Sequence, residues 1–280
     1  THLNDAEMIP ADGMIYISTH RGEGMIMNEI IDPAVVDETQ PHLSDPELDM
    51  YDERNGFETP SKLDGSDARW SSYDGAFVAR FRAAQIDRVK RIDAIARAMI
   101  AENARAEALH DDPDFVKLTA EKQRDILRRE AFESVMTIYR TMANLHYVDN
   151  HLDPSARDYG SIFSPRPDLM NWKFFGFGRQ ATPHAWLSTW SGVSSRANQL
   201  HDLPQITEPS LFINAGKDQE IFPRTDAIPM FNAIAAKDKT YVDFPRARHY
   251  FEPPVGQRDA PDVEKVMDVV VPWILDRFGA

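Results

Sequence analysis

An aspartate and a histidine occupy equivalent places in two neighbouring parts of the chain. Asp218 comes shortly after the apolar run Ser210–Ala215, and His249 comes shortly after a second apolar run, Thr240–Phe244. An aspartate beside a histidine fixes the tautomer of the imidazole, so that the other ring nitrogen can act as a base. The pair therefore indicates general acid–base chemistry, with Glu220 as the alternative acid.

The chain between these two residues contains the elements needed to bring them together. Both runs have the length and the boundaries of strands, and residues 226–236 between them have a helical pattern. A strand–helix–strand unit of this length implies parallel strands joined by a right-handed crossover. Because functional residues of parallel sheets lie beyond the carboxyl ends of the strands, the sequence predicts that Asp218 and His249 lie side by side.

The remaining segments predict an α/β fold with a large insertion. Met14–Ser18 has the pattern of another buried strand, and Ala260–Phe278 has the pattern of an amphipathic helix. Between them lie an acidic loop over 37–75 and a block over 76–148 that has a helical period and no strand pattern. We therefore assign residues 1–36 and 206–280 to a sheet-containing core and residues 37–205 to a loop-rich, helical cap or lid.

Within the insertion, the apolar spacing predicts two long helices and one short one. The first is expected over 75–109, and the second, capped by Thr119, is expected to continue through Met142. The short helix is expected at Trp186–Trp190. Only three strands are then left for the core, which is too few for a parallel sheet to stand alone, so part of the sheet is expected to be missing.

The two turns resemble parts of the α/β-hydrolase superfamily. GKDQEIFP, around Asp218, resembles the acid turn of that family, ARHYFEP, around His249, resembles its histidine turn, and MIYISTHRGEG resembles the preceding sheet strand. The resemblance covers residues 190–280 and the first strand. The cap resembles that of the family only in its position along the chain. It implies a Ser-His-Asp mechanism with His249 as base and Asp218 as orienting acid, acting without a cofactor or metal on a carboxylic ester or related acyl substrate.

The family's nucleophile motif, G-x-S-x-G between a strand and a helix, is absent from this sequence. Gly192–Arg196 matches half of it, without a preceding strand, and Ser66 follows Gly65 in the acidic loop. We therefore expect the serine on an N-terminal segment of the same precursor, cut before Thr1 and bound as a second chain. The chain is then the C-terminal, cap-bearing part of a serine hydrolase.

Several further residues are candidates for contact with a small apolar acyl substrate. Trp186 and Trp190 are expected to form an apolar wall under the cap, and His20 and Tyr250 are expected to line the site from the sheet edge. His146 and His151 flank aspartates, but their spacing favours a solvated helix end over a metal site.

The composition excludes several classes of partner and chemistry. A net charge of −14 argues against nucleic acid and anionic membranes as partners, and no apolar run approaches the length of a membrane span. The absence of cysteine excludes disulfides and a thiol nucleophile. The compartment stays open, with the cytoplasm slightly favoured. Two alternatives also stay open: a non-catalytic, hydrolase-like scaffold, and an autoprocessed hydrolase that uses Thr1 as its nucleophile.

Overall fold

A computed structural model describes residues 6–253 and 256–279 of the chain. It divides them into two units. Unit 1 contains the residues up to Arg21, the segment Asp153–Asp158 and the residues from Gln199 onward, whereas unit 2 contains Gly22–Leu152 and Tyr159–Asn198. The sequence predicts that the core extends to residue 36, whereas the first segment of unit 1 ends at Arg21. Unit 1 also includes Asp153–Asp158, which the sequence places in the cap.

The chain forms α-helices, strands and short helical turns. The strands are β1 (Met14–Ile17), β2 (Met136–Thr137), β3 (Gln180–Ala181), β4 (Ser210–Ala215) and β5 (Lys239–Phe244). The α-helices are α1 (Glu23–Ile30), α2 (Gly75–His110), α3 (Ala120–Ala131), α4 (Pro167–Met170), α5 (Pro183–Ala185), α6 (Gln199–Asp202), α7 (Ile228–Ala233) and α8 (Pro261–Phe278). The 3₁₀ turns are Glu53–Asn55, Phe115–Lys117, Leu145–Tyr147 and Leu203–Gln205, and the π-helical turns are Trp186–Trp190 and Pro223–Ala227.

Unit 1 is built on a three-stranded parallel sheet in the order β1-β4-β5. The central strand β4 is buried along its whole length, as its mostly apolar sequence predicts for a strand covered on both faces. The predicted α/β class and the parallel pairing of these strands are therefore confirmed. Among the described residues, β1 pairs only with β4, so its other edge carries no strand.

Alternate residues of β4 pack into two layers on opposite faces of the sheet. Phe212 packs with Tyr16 and with Met230 of α7. Leu211 packs on the other side with Val266 and with further residues of α8. This alternation follows from the period of two along a strand, and it places helices α7 and α8 on opposite sides of the sheet.

Unit 2 is organised around α2, the longest helix of the described chain. The Asp74 carboxylate caps it by accepting hydrogen bonds of 2.8 Å from the N–H groups of residues 76 and 77. One face of α2, which includes Phe77, Phe81 and Val89, is buried in the core of this unit, and α3 packs against the helix. The predicted helix over 75–109 is confirmed.

The prediction that the second helix continues through Met142 is wrong, as is the prediction that the block 76–148 contains no strand. Helix α3 ends at Ala131, and β2 follows and pairs antiparallel with β3. From residue 135 to residue 140 exposed and buried side chains alternate strictly, which is the period of a strand. The apolar residues of this stretch fit the period of a helix as well as that of a strand. No Pro or Gly marks the point at which the helix ends and the strand begins.

The acidic loop over 37–75 is irregular, as predicted, and its aspartates stabilise local turns. The carboxylates of Asp45, Asp49 and Asp52 each accept a 2.9 Å hydrogen bond from the backbone N–H two residues further on. Such turns satisfy backbone donors without regular secondary structure, which explains why an acidic segment can be ordered here. No helix of the described residues is long and apolar enough to cross a membrane.

Candidate functional site

Backbone hydrogen bonds join the turns that follow β4 and β5. Gly216 N–H donates to the carbonyl of Phe244 at 2.9 Å, and Lys217 N–H donates to the carbonyl of Ala247 at 2.9 Å. A Cβ atom at residue 216 would lie 2.6 Å from the Cα of Pro245, so this approach requires glycine. The two turns are therefore held together by the main chain, independently of the functional side chains.

Asp218 and His249 meet at this point. His249 Nδ1 lies 2.8 Å from Asp218 Oδ2. The other carboxylate oxygen accepts hydrogen bonds from the N–H groups of Glu220 at 2.8 Å and Ile221 at 3.0 Å. The Asp218 side chain is 1% exposed and that of His249 is 15% exposed. The predicted acid and base are thus in direct contact, and the acid that contacts His249 is Asp218.

This geometry determines which nitrogen of the imidazole can act as a base. An ionised carboxylate only accepts hydrogen bonds, and two backbone N–H groups orient that of Asp218. Nδ1 of His249 must then carry the proton, which leaves the lone pair on Nε2. The arrangement can accept a proton at Nε2 and stabilise the imidazolium that forms.

A segment that the sequence did not connect with the site supports both turns from within unit 1. The Asp158 carboxylate accepts a 2.6 Å hydrogen bond from Arg248, and its backbone carbonyl accepts one of 3.3 Å from Gln219. These two donors are the neighbours of His249 and Asp218 in the chain. The Asp153 carboxylate accepts bonds of 2.9 and 2.8 Å from the N–H groups of residues 224 and 225. Residues 153–158 therefore brace the turns that carry the pair.

The two further candidates in unit 1 differ in their relation to the pair. The ring of Tyr250 stands edge-on to the imidazole of His249, with centroids 4.5 Å apart, and the tyrosine is 67% exposed. His20 is partly buried in the turn after β1, next to Arg21, whose guanidinium forms a 2.6 Å ion pair with Asp226. Tyr250, which the sequence predicts to contact the substrate, thus lies against the ring of His249.

The two predicted aromatic wall residues lie in unit 2, outside the unit that carries the pair. Trp186 is fully buried, and its indole N–H donates to Asp93 at 2.7 Å. Trp190 is partly buried against the same core. The side chain of Trp186 presents no surface in this conformation, so the structure gives it a packing role, and a substrate contact by Trp190 stays a prediction.

The described residues contain no group of three or more histidine, cysteine, aspartate or glutamate side chains arranged to hold a metal. The ring of His146 is buried beside Asn144, with Nδ1 3.0 Å from the amide oxygen. His151 is exposed, and its Nδ1 lies 3.1 Å from Asp149. Thr1, the alternative nucleophile, lies outside the described residues.

Two features near the carboxyl ends of the strands carry no signal in the sequence. Ser18, directly after β1, has a φ of 40°, and within the described chain its buried hydroxyl has no hydrogen-bond partner. Asn214 and Asp243 are paired across β4 and β5 at 2.7 Å, and they line an open cavity of about 420 Å³ together with Tyr241. A left-handed serine is uncommon and often marks a functional position.

Comparison with protein-family models, with curated proteins and with solved structures returned no match to this chain. We therefore infer the function from the residues and from their geometry.

Proposed function

We propose that this protein is a hydrolase of carboxylic esters or related acyl compounds that uses a Ser-His-Asp mechanism. His249 is the base and Asp218 is the acid that orients it. The observation that carries the proposal is the 2.8 Å contact between His249 Nδ1 and a buried carboxylate that is itself held by two backbone N–H groups. The resemblance of both turns to those of α/β-hydrolases supports the same proposal.

In the proposed reaction, Nε2 of His249 accepts the proton of a serine hydroxyl as the serine oxygen bonds to the acyl carbon. The same nitrogen then donates that proton to the leaving alcohol as the ester bond breaks, which leaves an acyl-enzyme. A water molecule next gives its proton to Nε2 and its oxygen to the acyl carbon. The acid is released and the serine regains its proton. Asp218 stabilises the imidazolium in both steps and stays ionised.

We also propose that the serine belongs to a further polypeptide segment, the N-terminal part of the same precursor, that pairs with the free edge of β1. Two features of unit 1 support this. An exposed edge strand offers unpaired backbone groups for an added strand. Helix α8 also carries an exposed apolar stripe along one side, formed by Val263, Met267, Val271, Ile274 and Phe278. These positions repeat at three- and four-residue intervals, and this stripe is separate from the buried face formed by Val266, Val270 and Trp273.

A non-catalytic scaffold is the second candidate, and one observation favours it. Within the described residues, no serine hydroxyl is hydrogen-bonded to His249. If no serine is supplied by another segment, the turns form a binding surface and the pair is structural.

A kinetic comparison of histidine variants tests the proposal. The chain, purified under native conditions with any polypeptide that it retains, is assayed on p-nitrophenyl acetate and p-nitrophenyl octanoate. We expect His249→Ala to lower kcat/KM at least about 1,000-fold, because the base is lost. The matched control is His201→Ala, which removes an exposed histidine of unit 1 whose Nδ1 lies 2.9 Å from Oδ1 of its neighbour Asp202. Equal activity in both variants contradicts the proposal.

The apolar nature of the proposed acyl group is a separate part of the test. Because the edge of the site is formed in part by the exposed ring of Tyr250, we expect a higher kcat/KM for octanoate than for acetate. Tyr250→Ala should reduce that preference without abolishing acetate hydrolysis. An unchanged preference removes Tyr250 from the acyl site.

A further inference from the structure

A cavity of about 420 Å³ lies in unit 1 beside the carboxyl ends of β4 and β5. Asn214 of β4 and Tyr241 and Asp243 of β5 line it from the sheet. The other lining residues are 154–156, Gly216, Pro223, Ile228 and Pro245. Asp218 and His249 are not among the residues that line it, so the proposed hydrolysis does not account for this cavity.

Hydrogen bonds and prolines hold the segments around the cavity in place. The Asp153 carboxylate accepts bonds of 2.9 and 2.8 Å from two N–H groups of the turn Pro223–Ala227, which ties residues 154–156 to that turn. The Gly216 N–H donates to the carbonyl of Phe244 at 2.9 Å, which ties the ends of β4 and β5 together. Three of the lining residues are prolines, whose φ is fixed. The cavity is therefore preformed, and a ligand that enters it has little protein to order.

Asn214 and Asp243 present hydrogen-bond acceptors to the cavity. Asn214 is 3% exposed, and its Nδ2 donates to Oδ1 of Asp243 at 2.7 Å. Within the described chain, no group donates to Oδ2 of Asp243 or to the amide oxygen of Asn214. Asp243 is exposed, and the amide oxygen of Asn214 is not among the enclosed atoms, so a ligand can reach both acceptors. A molecule with two or more N–H groups would satisfy them.

The charge of the lining comes from Asp243, which is the one charged residue among those that form the cavity. Burial and the charge of Asp243 raise the pKa of Tyr241 to about 12, so the phenol is neutral at pH 7. Lys217, Arg224 and Arg246 adjoin lining residues in the chain, but they do not line the cavity themselves. Because Coulomb attraction falls with distance and is screened by solvent, the carboxylate that touches the ligand favours a cation.

The remainder of the lining is mostly apolar. It consists largely of the three prolines, Ile228 and the ring of Tyr241. That ring is held in place by Phe212, on which it stacks with centroids 5.7 Å apart. Sites for small molecules combine such an apolar lining with a few polar groups and have volumes of roughly 300–1,000 Å³. The cavity has this composition, and its volume lies within this range.

We propose that this cavity binds a small organic ammonium ion, a protonated primary amine on an apolar body. The N–H groups of the ammonium donate to Oδ2 of Asp243 and to the amide oxygen of Asn214. The apolar body lies against the prolines and the ring of Tyr241. A primary amine fits better than a quaternary one, because a quaternary nitrogen has no hydrogen to donate. The site is independent of the proposed hydrolytic function.

Calorimetric titration with 2-phenylethylamine hydrochloride at pH 7 tests the proposal on the unmodified protein. We expect saturable binding with one site per chain. 2-Phenylethanol has the same body without the charge, and we expect it to bind at least about tenfold more weakly because it lacks the charge-assisted hydrogen bonds. The trimethylammonium analogue keeps the charge but has no N–H group, and it should also bind more weakly than the primary amine.

Two aspartate variants test the residue that carries the charge. Asp243→Asn should weaken binding of 2-phenylethylamine at least about tenfold, whereas Asp268→Asn should leave it unchanged. Asp268 is an exposed residue of α8 that does not line the cavity, and both substitutions change the net charge of the protein by the same amount.

A further variant covers the case in which Asp243→Asn does not fold. Ile228 is exposed at the start of α7, so Ile228→Trp keeps the carboxylate and fills part of the cavity, and it should also weaken binding. Absence of saturable binding to the unmodified protein overturns the proposal. Equal affinity for the amine and for either analogue overturns it as well, as does unchanged affinity in Asp243→Asn or in Ile228→Trp.

Discussion

Replacing Asp218 by alanine removes a carboxylate that three donors share. Its oxygens accept bonds from His249 at 2.8 Å, from the N–H of Glu220 at 2.8 Å and from the N–H of Ile221 at 3.0 Å. The side chain is 1% exposed, so water does not replace the lost acceptors without a rearrangement. Each buried donor left unpaired costs about 1–3 kcal/mol, and losing one partner of a buried ion pair costs about 3–5 kcal/mol in all. We therefore expect the free energy of unfolding to fall by about 3–5 kcal/mol.

Asp218→Asn separates the local role of the carboxylate from its role towards the histidine. The amide oxygen can still accept from the two backbone N–H groups, whereas the amide nitrogen cannot accept from His249 Nδ1. We expect this variant to lose only about 1–2 kcal/mol, the value of one hydrogen bond to a charged group. His249→Ala should cost a similar amount, and the double variant should cost little more than either single variant because both remove the same contact.

Urea unfolding at pH 7, followed by far-ultraviolet circular dichroism, measures these differences. Amide hydrogen exchange of residues 220 and 221 provides a local readout, since their protection should fall in Asp218→Ala and persist in Asp218→Asn. Equal stability of the alanine and asparagine variants would refute the reasoning, because the two backbone bonds would then contribute nothing. Additive losses in the double variant would show that Asp218 and His249 act independently.

Three further predictions follow from other contacts. Burial alone would raise the pKa of Glu38, but hydrogen bonds to two arginines and their charges hold it below its usual value. The stability that Glu38 contributes is therefore fully present above the pKa of an unfolded glutamate. That stability is lost as the pH falls through the lowered pKa. Glu38→Gln should therefore flatten the acid limb of a curve of unfolding free energy against pH. Gly216→Ala should destabilise the protein by about 1–3 kcal/mol in urea unfolding, since the added Cβ would press on Pro245. The control is Gly75→Ala, which should be neutral or stabilising because no atom lies within 4 Å of the added Cβ. Trp186→Phe should cost about 1–3 kcal/mol in the same assay because one oxygen of a buried aspartate loses its donor, and an unchanged midpoint would contradict this.

The sequence contained enough information to predict the sheet and the pair. The boundaries of β4 were predicted to the residue, because its apolar run is bounded by a proline and a glycine. The contact between Asp218 and His249 followed from the rule that parallel strands present their carboxyl ends at one edge. Both predictions need only local sequence patterns and one topological rule, so the sequence alone is sufficient for them.

Other features depend on contacts between residues far apart in the chain. The bond between Asp158 and Arg248 joins positions 90 residues apart, and neither residue has a pattern that indicates the other. The sequence predicts a helix for the stretch after α3, because its apolar residues fit a helix as well as a strand, and pairing with β3 decides the outcome. Among the described residues, the buried Nε and Nη1 atoms of Arg179 have no hydrogen-bond partner, and no sequence pattern indicates this.

The most direct test of the hydrolase proposal is covalent labelling of the native preparation with a serine-reactive fluorophosphonate, followed by peptide mapping. We expect one labelled serine on a polypeptide bound to this chain, with labelling lost in His249→Ala and kept in His201→Ala. Labelling of Ser18 would place the nucleophile in this chain and contradict the second-chain proposal. The absence of any labelled serine, or labelling that persists in His249→Ala, would contradict the role of His249 as the base.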